Sequence, residues 1–105
     1  MFEVVAIVTI IERGKGDKVV EVAKKAGATG ATIFYGRGTG ELEAKKLFNL
    51  HVESTKEIVL ILTEKPKEQV IKDAIVEAQK LKDPGTGVIF TVPVSSIIGL
   101  HHRDI

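Results

Sequence analysis

The chain has 105 residues, which suits one folded domain with a single hydrophobic core. Its 15 basic and 14 acidic residues leave a net charge of +1, so the composition favours neither a nucleic-acid partner nor an anionic membrane surface. The absence of cysteine excludes disulfides, thiolate metal sites and thiol nucleophiles. We therefore expect one domain over residues 1–105.

The amino-terminal segment is apolar, but it does not have the features of a signal peptide. It carries Glu3 near its start and lacks both a basic leader and a small-residue cleavage site. No apolar run approaches the roughly 20 residues that span a bilayer. A cytoplasmic protein without direct membrane insertion is the expectation.

The first half of the chain predicts a strand, a helix and a second strand. Residues 4–11 are apolar and mostly β-branched, which indicates a central strand. A helix is predicted from Asp17, and Gly27 stands where a left-handed cap ends such a helix. Residues 31–35 then predict the second strand. The inward stripe of the helix is predicted to be Val19, Val20, Ala23 and Ala26.

The second half predicts the same order of elements. Residues 57–63 form the third strand, Pro66 suits the first position of a second helix, and residues 83–85 (Asp-Pro-Gly) end that helix. Residues 88–94 predict the fourth strand, and Pro93 places it at an edge of the sheet because proline has no N–H to donate. The inward stripe of the second helix is predicted to be Val70, Ile71, Ala74, Ile75, Ala78 and Leu81.

The two halves share a local signature. A Thr-Gly step followed by an apolar run that ends in phenylalanine occurs at residues 29–34 and again, more compactly, at residues 86–90. Two β-α-β halves of this kind predict an α+β, ferredoxin-like βαββαβ fold, with a four-stranded antiparallel sheet and both helices on one face.

Both faces of this sheet are predicted to be apolar. Two helices cover one face, so the other needs a second covering, because soluble monomers rarely expose an apolar patch of that size. Self-association is the simplest way to cover the second face of the sheet. In the first strand, one face carries Val4, Ala6, Val8 and Ile10, and the other carries Val5, Ile7, Thr9 and Ile11. In the third strand, one face carries Ile58, Leu60 and Leu62, and the other carries Val59 and Ile61.

Three segments carry a family resemblance: GATGAT at residues 27–32, Gly36-Arg37 after the second strand, and PGTGVIF at residues 84–90. With this topology, the chain resembles the PII nitrogen-regulatory signalling proteins, which are trimers of this fold whose sheets face the threefold axis. The resemblance covers nearly the whole chain. It implies a T-loop at about residues 37–56 and a B-loop at residues 82–88.

The resemblance also implies a ligand, because members of this family bind adenine nucleotides in clefts between subunits. Thr29 would touch the adenine, the cleft would be lined by Gly36, Arg37 and Gly38, and the phosphates would be cradled by Gly85, Thr86 and Gly87. A Gly87→Asp change is then expected to abolish binding and leave the trimer intact. The alternative interpretation is that the glycines serve only as caps and turns.

Four positions depart from the family pattern, and these departures change which ligand we expect. Gly38 stands in place of a glutamine that helps to hold Mg-ATP and 2-oxoglutarate, and Val88 replaces a lysine. Gly99 and His101 replace two arginines. Because phosphate-binding charges are missing, we expect AMP or ADP to be favoured over ATP, unless Lys56, His102 or Arg103 substitutes. No 2-oxoglutarate binding is expected.

The T-loop implies a protein partner, which by resemblance is a transporter or a metabolic enzyme. Residues 37–56 contain no tyrosine, so uridylylation there is not expected. Apolar residues alternate with charged ones in this segment, which suits docking on a partner; the alternative is that they pack on their own trimer.

Other kinds of function have weaker support in the sequence. No spacing of acidic, basic and nucleophilic residues indicates catalysis, so we expect no enzyme activity. His51, His101 and His102 are the candidates for a metal site. The rival interpretation is therefore a trimeric metal-binding or divalent-cation-tolerance-type protein of the same fold.

Overall fold

The computed structural model describes residues 3–39 and 53–100. In chain order the elements are β1 (Val4–Glu12), α1 (Gly16–Lys25), β2 (Thr32–Thr39), β3 (Glu53–Glu64), a 3-10 turn (Lys65–Lys67), α2 (Glu68–Gln79) and β4 (Gly87–Pro93).

The four strands form one sheet in the order β2-β3-β1-β4, and each neighbouring pair is antiparallel. β1 and β3 are central, while β2 and β4 are the two edges. This is the predicted ferredoxin-like arrangement. Pro93 lies in the edge strand β4, as its missing N–H led us to expect.

Both helices pack against each other and against the same face of the sheet. Between the two layers lies a core of aliphatic side chains: Ile7, Ile11, Val19, Ala23, Ala28, Val59, Ile61, Ile71 and Ile75. Burial of these side chains supplies the main stabilising term of the domain. Among the described residues, no helix is long and apolar enough to cross a membrane.

In the described part of the chain, neither helix packs on the opposite face of the sheet, where Ala6 is buried but Phe34, Val88, Phe90 and Val92 are exposed. The register places Val8 between Leu60 and Phe90, and Ile58 between Ile10 and Phe34, all on this face. Phe34 is 48% exposed and Val88 is 55% exposed. We call this surface the uncovered face: Ala6, Val8, Ile10, Phe34, Ile58, Leu60, Leu62, Val88, Phe90 and Val92. The prediction of two apolar faces is confirmed.

The hairpin formed by β2 and β3 is longer than the sequence predicts. The ladder continues past the predicted ends, and residues 36–39 pair with residues 53–56. Glycines at positions 36 and 38 lower strand propensity, but cross-strand pairing overrides that local preference. Both ends of the T-loop candidate, residues 37–39 and 53–56, are therefore strand residues, and residues 40–52 lie outside the described part of the chain.

Both helices end in a Schellman motif, in which a left-handed residue closes the last turn. At the end of α1, Gly27 has φ +121° and the Ala28 N–H donates to the Ala23 carbonyl at 2.9 Å, which confirms the predicted cap. At the end of α2 the left-handed residue is Lys80, with φ 53°, and the Leu81 N–H donates to the Val76 carbonyl. The predicted end of α2 at residues 83–85 was therefore wrong.

The inward stripe of α2 is narrower than predicted. Ile71 and Ile75 are completely buried, whereas Val70 is 59% exposed and Ala78 is also exposed. Residues four apart lie on one face of a helix, so the Ile71–Ile75 axis turns Val70 away from the sheet. The inward assignment of Val70 and Ala78 was wrong.

An ion pair lies at the start of α2. The Lys65 ammonium is 2.8 Å from a Glu68 carboxylate oxygen, and Glu68 itself is largely buried. The hydrogen bond from Lys65 lowers the pKa of Glu68, and the same bond raises the pKa of Lys65.

Candidate functional site

The glycine-containing segments 36–38 and 85–87 lie at the same end of the sheet, where β1 and β2 end and β3 and β4 begin. The register places Tyr35, Glu57, Ile11 and Gly87 in one row across the four strands. Tyr35 leads directly into the segment 36–38, and Gly87 follows directly on residues 85–86. Two of the three predicted segments therefore lie at the same end of the sheet, on its two opposite edges.

In the β2 segment, glycine leaves room for side chains of β3. A Cβ at Gly36 would lie 3.1 Å from Ile58 Cδ1, and a Cβ at Gly38 would lie 3.3 Å from Lys56 Cγ. Arg37, between the two glycines, is exposed and pairs in the ladder with Thr55. This segment is an ordered strand edge in which Ile58 and Lys56 occupy the space above the glycines.

The loop between α2 and β4 is closed by its own hydrogen bonds. The Asp83 N–H donates to the Lys80 carbonyl at 2.9 Å, and the Thr86 hydroxyl lies 2.9 Å from the carbonyl oxygens of both Lys80 and Asp83. Gly85 has φ +77°, a left-handed conformation that favours glycine. The Thr86 side chain is thus a structural element of the loop, which leaves backbone N–H groups as the donors that a phosphate would meet there.

Gly87 is required by the fold itself. It has φ +150°, and a Cβ there would lie 2.8 Å from the Ile10 carbonyl oxygen and 3.1 Å from Leu81 Cδ2. Aspartate cannot be accommodated against backbone at that distance. The expectation that Gly87→Asp would leave the assembly intact was therefore wrong, and this substitution does not separate binding from folding.

The remaining predicted residues flank these two segments. Val88 follows Gly87 on the uncovered face. Thr29 is exposed and precedes β2, so residues 30–35 separate it from the segment 36–38. Gly99, in place of one family arginine, is exposed beyond β4, while His101, in place of the other, lies outside the described residues.

A single chain does not bring the predicted segments together. The β2 edge and the β4 edge are separated by three strand spacings, about 14 Å across the sheet. Two open grooves, of about 520 and 500 Å³, lie in the described part of the chain, and none of the eight predicted residues lines either groove. The first groove lies between the two helices, and the second lies at the end of α2.

Sequence reasoning missed the buried carboxylate at this end of the sheet. Glu57 is only 7% exposed, and its two oxygens accept the N–H groups of Gly14 and Gly16, each at 2.7 Å. Gly14 has φ +94°, and a Cβ at Gly16 would collide with the Glu57 carboxylate. Because Gly16 begins α1, the carboxylate also lies at the positive end of that helix. Glu57 therefore anchors the turn between β1 and α1 to the row that carries Tyr35 and Gly87.

The structure does not extend to the metal candidates. His51, His101 and His102 lie outside the described residues, as does Arg103. Within residues 3–39 and 53–100, no three histidine, aspartate or glutamate side chains are grouped as metal ligands.

Solved structures share the fold. B. subtilis GlnK in complex with ATP matches with a TM-score of 0.70 and 19% identity, covering 89% of this chain and 83% of that one. Arabidopsis thaliana PII bound to citrate matches with a TM-score of 0.69 and 23% identity, covering 94% of this chain and 84% of that one. A second structure of B. subtilis GlnK has a TM-score of 0.62 and 17% identity, covering 89% of this chain and 86% of that one.

No protein of curated function matches the sequence. A family model does match, and its description is nitrogen regulatory protein P-II. The match covers residues 4–103, from the first residue of β1 to beyond β4, and so includes every segment discussed above. The fold and this match agree, and the chain belongs to the P-II family of nitrogen regulatory proteins.

Proposed function

We propose that this P-II family member is a signalling protein that binds an adenine nucleotide between copies of the chain, with AMP or ADP favoured over ATP. The observation that carries the proposal is the placement of the segments 36–38 and 85–87 at the same end of the sheet on its opposite edges. In a ring of copies, the β2 edge of one copy faces the β4 edge of the next. One nucleotide can then contact both segments.

The uncovered face supports the ring itself. Among the described residues, four of the ten apolar side chains on this face are exposed, namely Phe34, Val88, Phe90 and Val92, and burial against the same face of other copies would remove them from water. We propose a homotrimer whose uncovered faces line the axis. ATP in the similar B. subtilis GlnK structure supports an adenine nucleotide as the ligand class.

The preference for fewer phosphates rests on charge. Val88 and Gly38 offer no side-chain donor to a phosphate, and each missing charge-assisted contact is worth about 1.5–3 kcal/mol. A third phosphate therefore adds negative charge without adding matched contacts. For the same reason 2-oxoglutarate is expected to have no effect on binding.

The proposed output is a change in the contact with a target protein, a transporter or a metabolic enzyme, through residues 37–56. Both ends of this segment are strand residues paired at the proposed nucleotide edge. A bound nucleotide acts on the target only if it has different affinities for two states of this segment. No catalytic step is proposed.

Calorimetry with AMP, ADP and ATP, each with and without magnesium, tests the ligand. We expect AMP or ADP to bind below millimolar concentration, ATP to bind no more tightly, and 2-oxoglutarate and citrate to leave binding unchanged. Absence of binding by all three nucleotides contradicts the proposal, and saturable binding of a transition-metal ion in their place favours the metal-binding alternative.

A gain of charge tests the phosphate argument. Val88→Lys places an ammonium next to Gly87, so ATP affinity is expected to rise about tenfold or more. Val70→Lys is the control, since it adds the same charge at an exposed apolar residue of α2, away from both the uncovered face and Gly87. Light scattering shows whether each variant keeps its assembly. An equal gain in ATP affinity from both variants would mean that the effect is general electrostatics.

A further inference from the structure

The side chain of Lys56 lies across the β2 edge. The register places Lys56 between Glu12 on β1 and Gly36 on β2. A Cβ at Gly38 would lie 3.3 Å from Lys56 Cγ, 3.9 Å from Cδ and 3.4 Å from Cε. The aliphatic stem therefore runs along β2 at Gly38, and the ammonium, one bond beyond Cε, is held at the edge of the sheet.

The carboxylate nearest in register does not hold this lysine. The Glu12 carboxylate is 3.9 Å from the Lys15 ammonium, while the stem of Lys56 leans the other way, toward β2. Several lysines form ion pairs, among them Lys15, Lys18, Lys25 and Lys65, but Lys56 forms none within the described residues. Within residues 3–39 and 53–100, no ion pair offsets its charge at that edge.

We propose that Lys56 is the phosphate-contacting cation of the nucleotide site and selects nucleotides over the nucleoside adenosine; this inference rests on the proposed function. Val88 offers no charge on the β4 edge, whereas Lys56 offers one beside the β2 edge. Packing of the stem over Gly38 leaves the side chain with little freedom to lose when it contacts a phosphate. An ammonium is a compact point charge with three donors, and a single one offsets only part of the charge of a triphosphate, so the proposed preference for AMP or ADP over ATP is kept.

Calorimetry with ADP and with adenosine tests the assignment in wild type, Lys56→Met, Lys56→Arg and the control Lys24→Met. Methionine keeps most of the stem and removes the charge, while Lys24 is an exposed lysine on the last turn of α1. We expect Lys56→Met to weaken ADP binding about ten- to a hundredfold and to leave adenosine binding unchanged. Lys56→Arg and Lys24→Met should keep ADP affinity within about threefold of wild type.

Each other outcome has a definite meaning. Wild-type ADP affinity in Lys56→Met overturns the inference and leaves the proposed function standing. Parallel losses of ADP and adenosine affinity also overturn it, because Lys56 would then act through the shape of the site. If wild type binds neither ligand, the proposed function fails and the inference fails with it.

Discussion

Leu60→Asp is expected to leave the protein monomeric at micromolar concentration. Leu60 lies on a central strand in the middle of the uncovered face, opposite Val8 on β1 and Thr32 on β2. In a closed assembly its side chain is buried against other copies, and an unpaired carboxylate there costs several kcal/mol per copy. Three symmetry-related carboxylates near one axis would also repel each other. Light scattering should give the monomer mass of 11.4 kDa, against about three times that mass for wild type.

The matched control is Val70→Asp, which places the same charge at an exposed apolar residue of α2 on the helical side of the molecule. It is expected to keep the assembly, because no contact between copies is proposed there. Wild-type mass for Leu60→Asp, with a native circular dichroism spectrum, would contradict the role given to the uncovered face. Loss of assembly in both variants would place a contact on the helical side as well.

Glu57→Ala is expected to lower the free energy of unfolding by about 3 kcal/mol. Two hydrogen bonds to a charged carboxylate are lost, and the N–H groups of Gly14 and Gly16 are left without that acceptor. Glu57→Gln should cost less, about 1–2 kcal/mol, because the amide keeps one acceptor oxygen but presents an NH₂ group to the second donor. Urea denaturation measures both losses.

All variants are compared at one protein concentration, since assembly couples stability to concentration. Glu77→Ala is the control, because Glu77 is an exposed glutamate on α2. It should stay within about 0.5 kcal/mol of wild type. A Glu57→Ala variant as stable as Glu77→Ala would mean that water satisfies the two N–H groups and that the carboxylate is not an anchor.

The fold was predictable because its signals are local and periodic. Apolar runs in β1 and β3 that are rich in β-branched residues indicated a sheet that is apolar on both faces, and Pro93 indicated an edge strand. The cap at Gly27 was predictable because glycine adopts its conformation without strain. The end of α2 was not, because Lys80 adopts a left-handed conformation that the sequence around it does not indicate.

The candidate site was less predictable, because its contacts are distant in sequence and involve the backbone. Glu57 is 41 residues from Gly16 and 43 from Gly14, and a carboxylate that binds backbone N–H groups leaves no side-chain pattern to detect. Gly87 lies in a sequence typical of phosphate-binding loops. The fold already requires glycine at this position, because a Cβ would lie 2.8 Å from the Ile10 carbonyl oxygen. Thr86 likewise uses its hydroxyl to close the loop between α2 and β4.

Calorimetry of ADP with the Leu60→Asp monomer tests most directly whether the nucleotide site is built between copies. Leu60 is remote in register from both the segment 36–38 and the segment 85–87, so the substitution removes the neighbouring copy without altering either half of the site. We predict that the folded monomer binds no ADP at millimolar concentration, while the assembled Val70→Asp control binds ADP with wild-type affinity. Wild-type ADP binding by the monomer would contradict a site between copies.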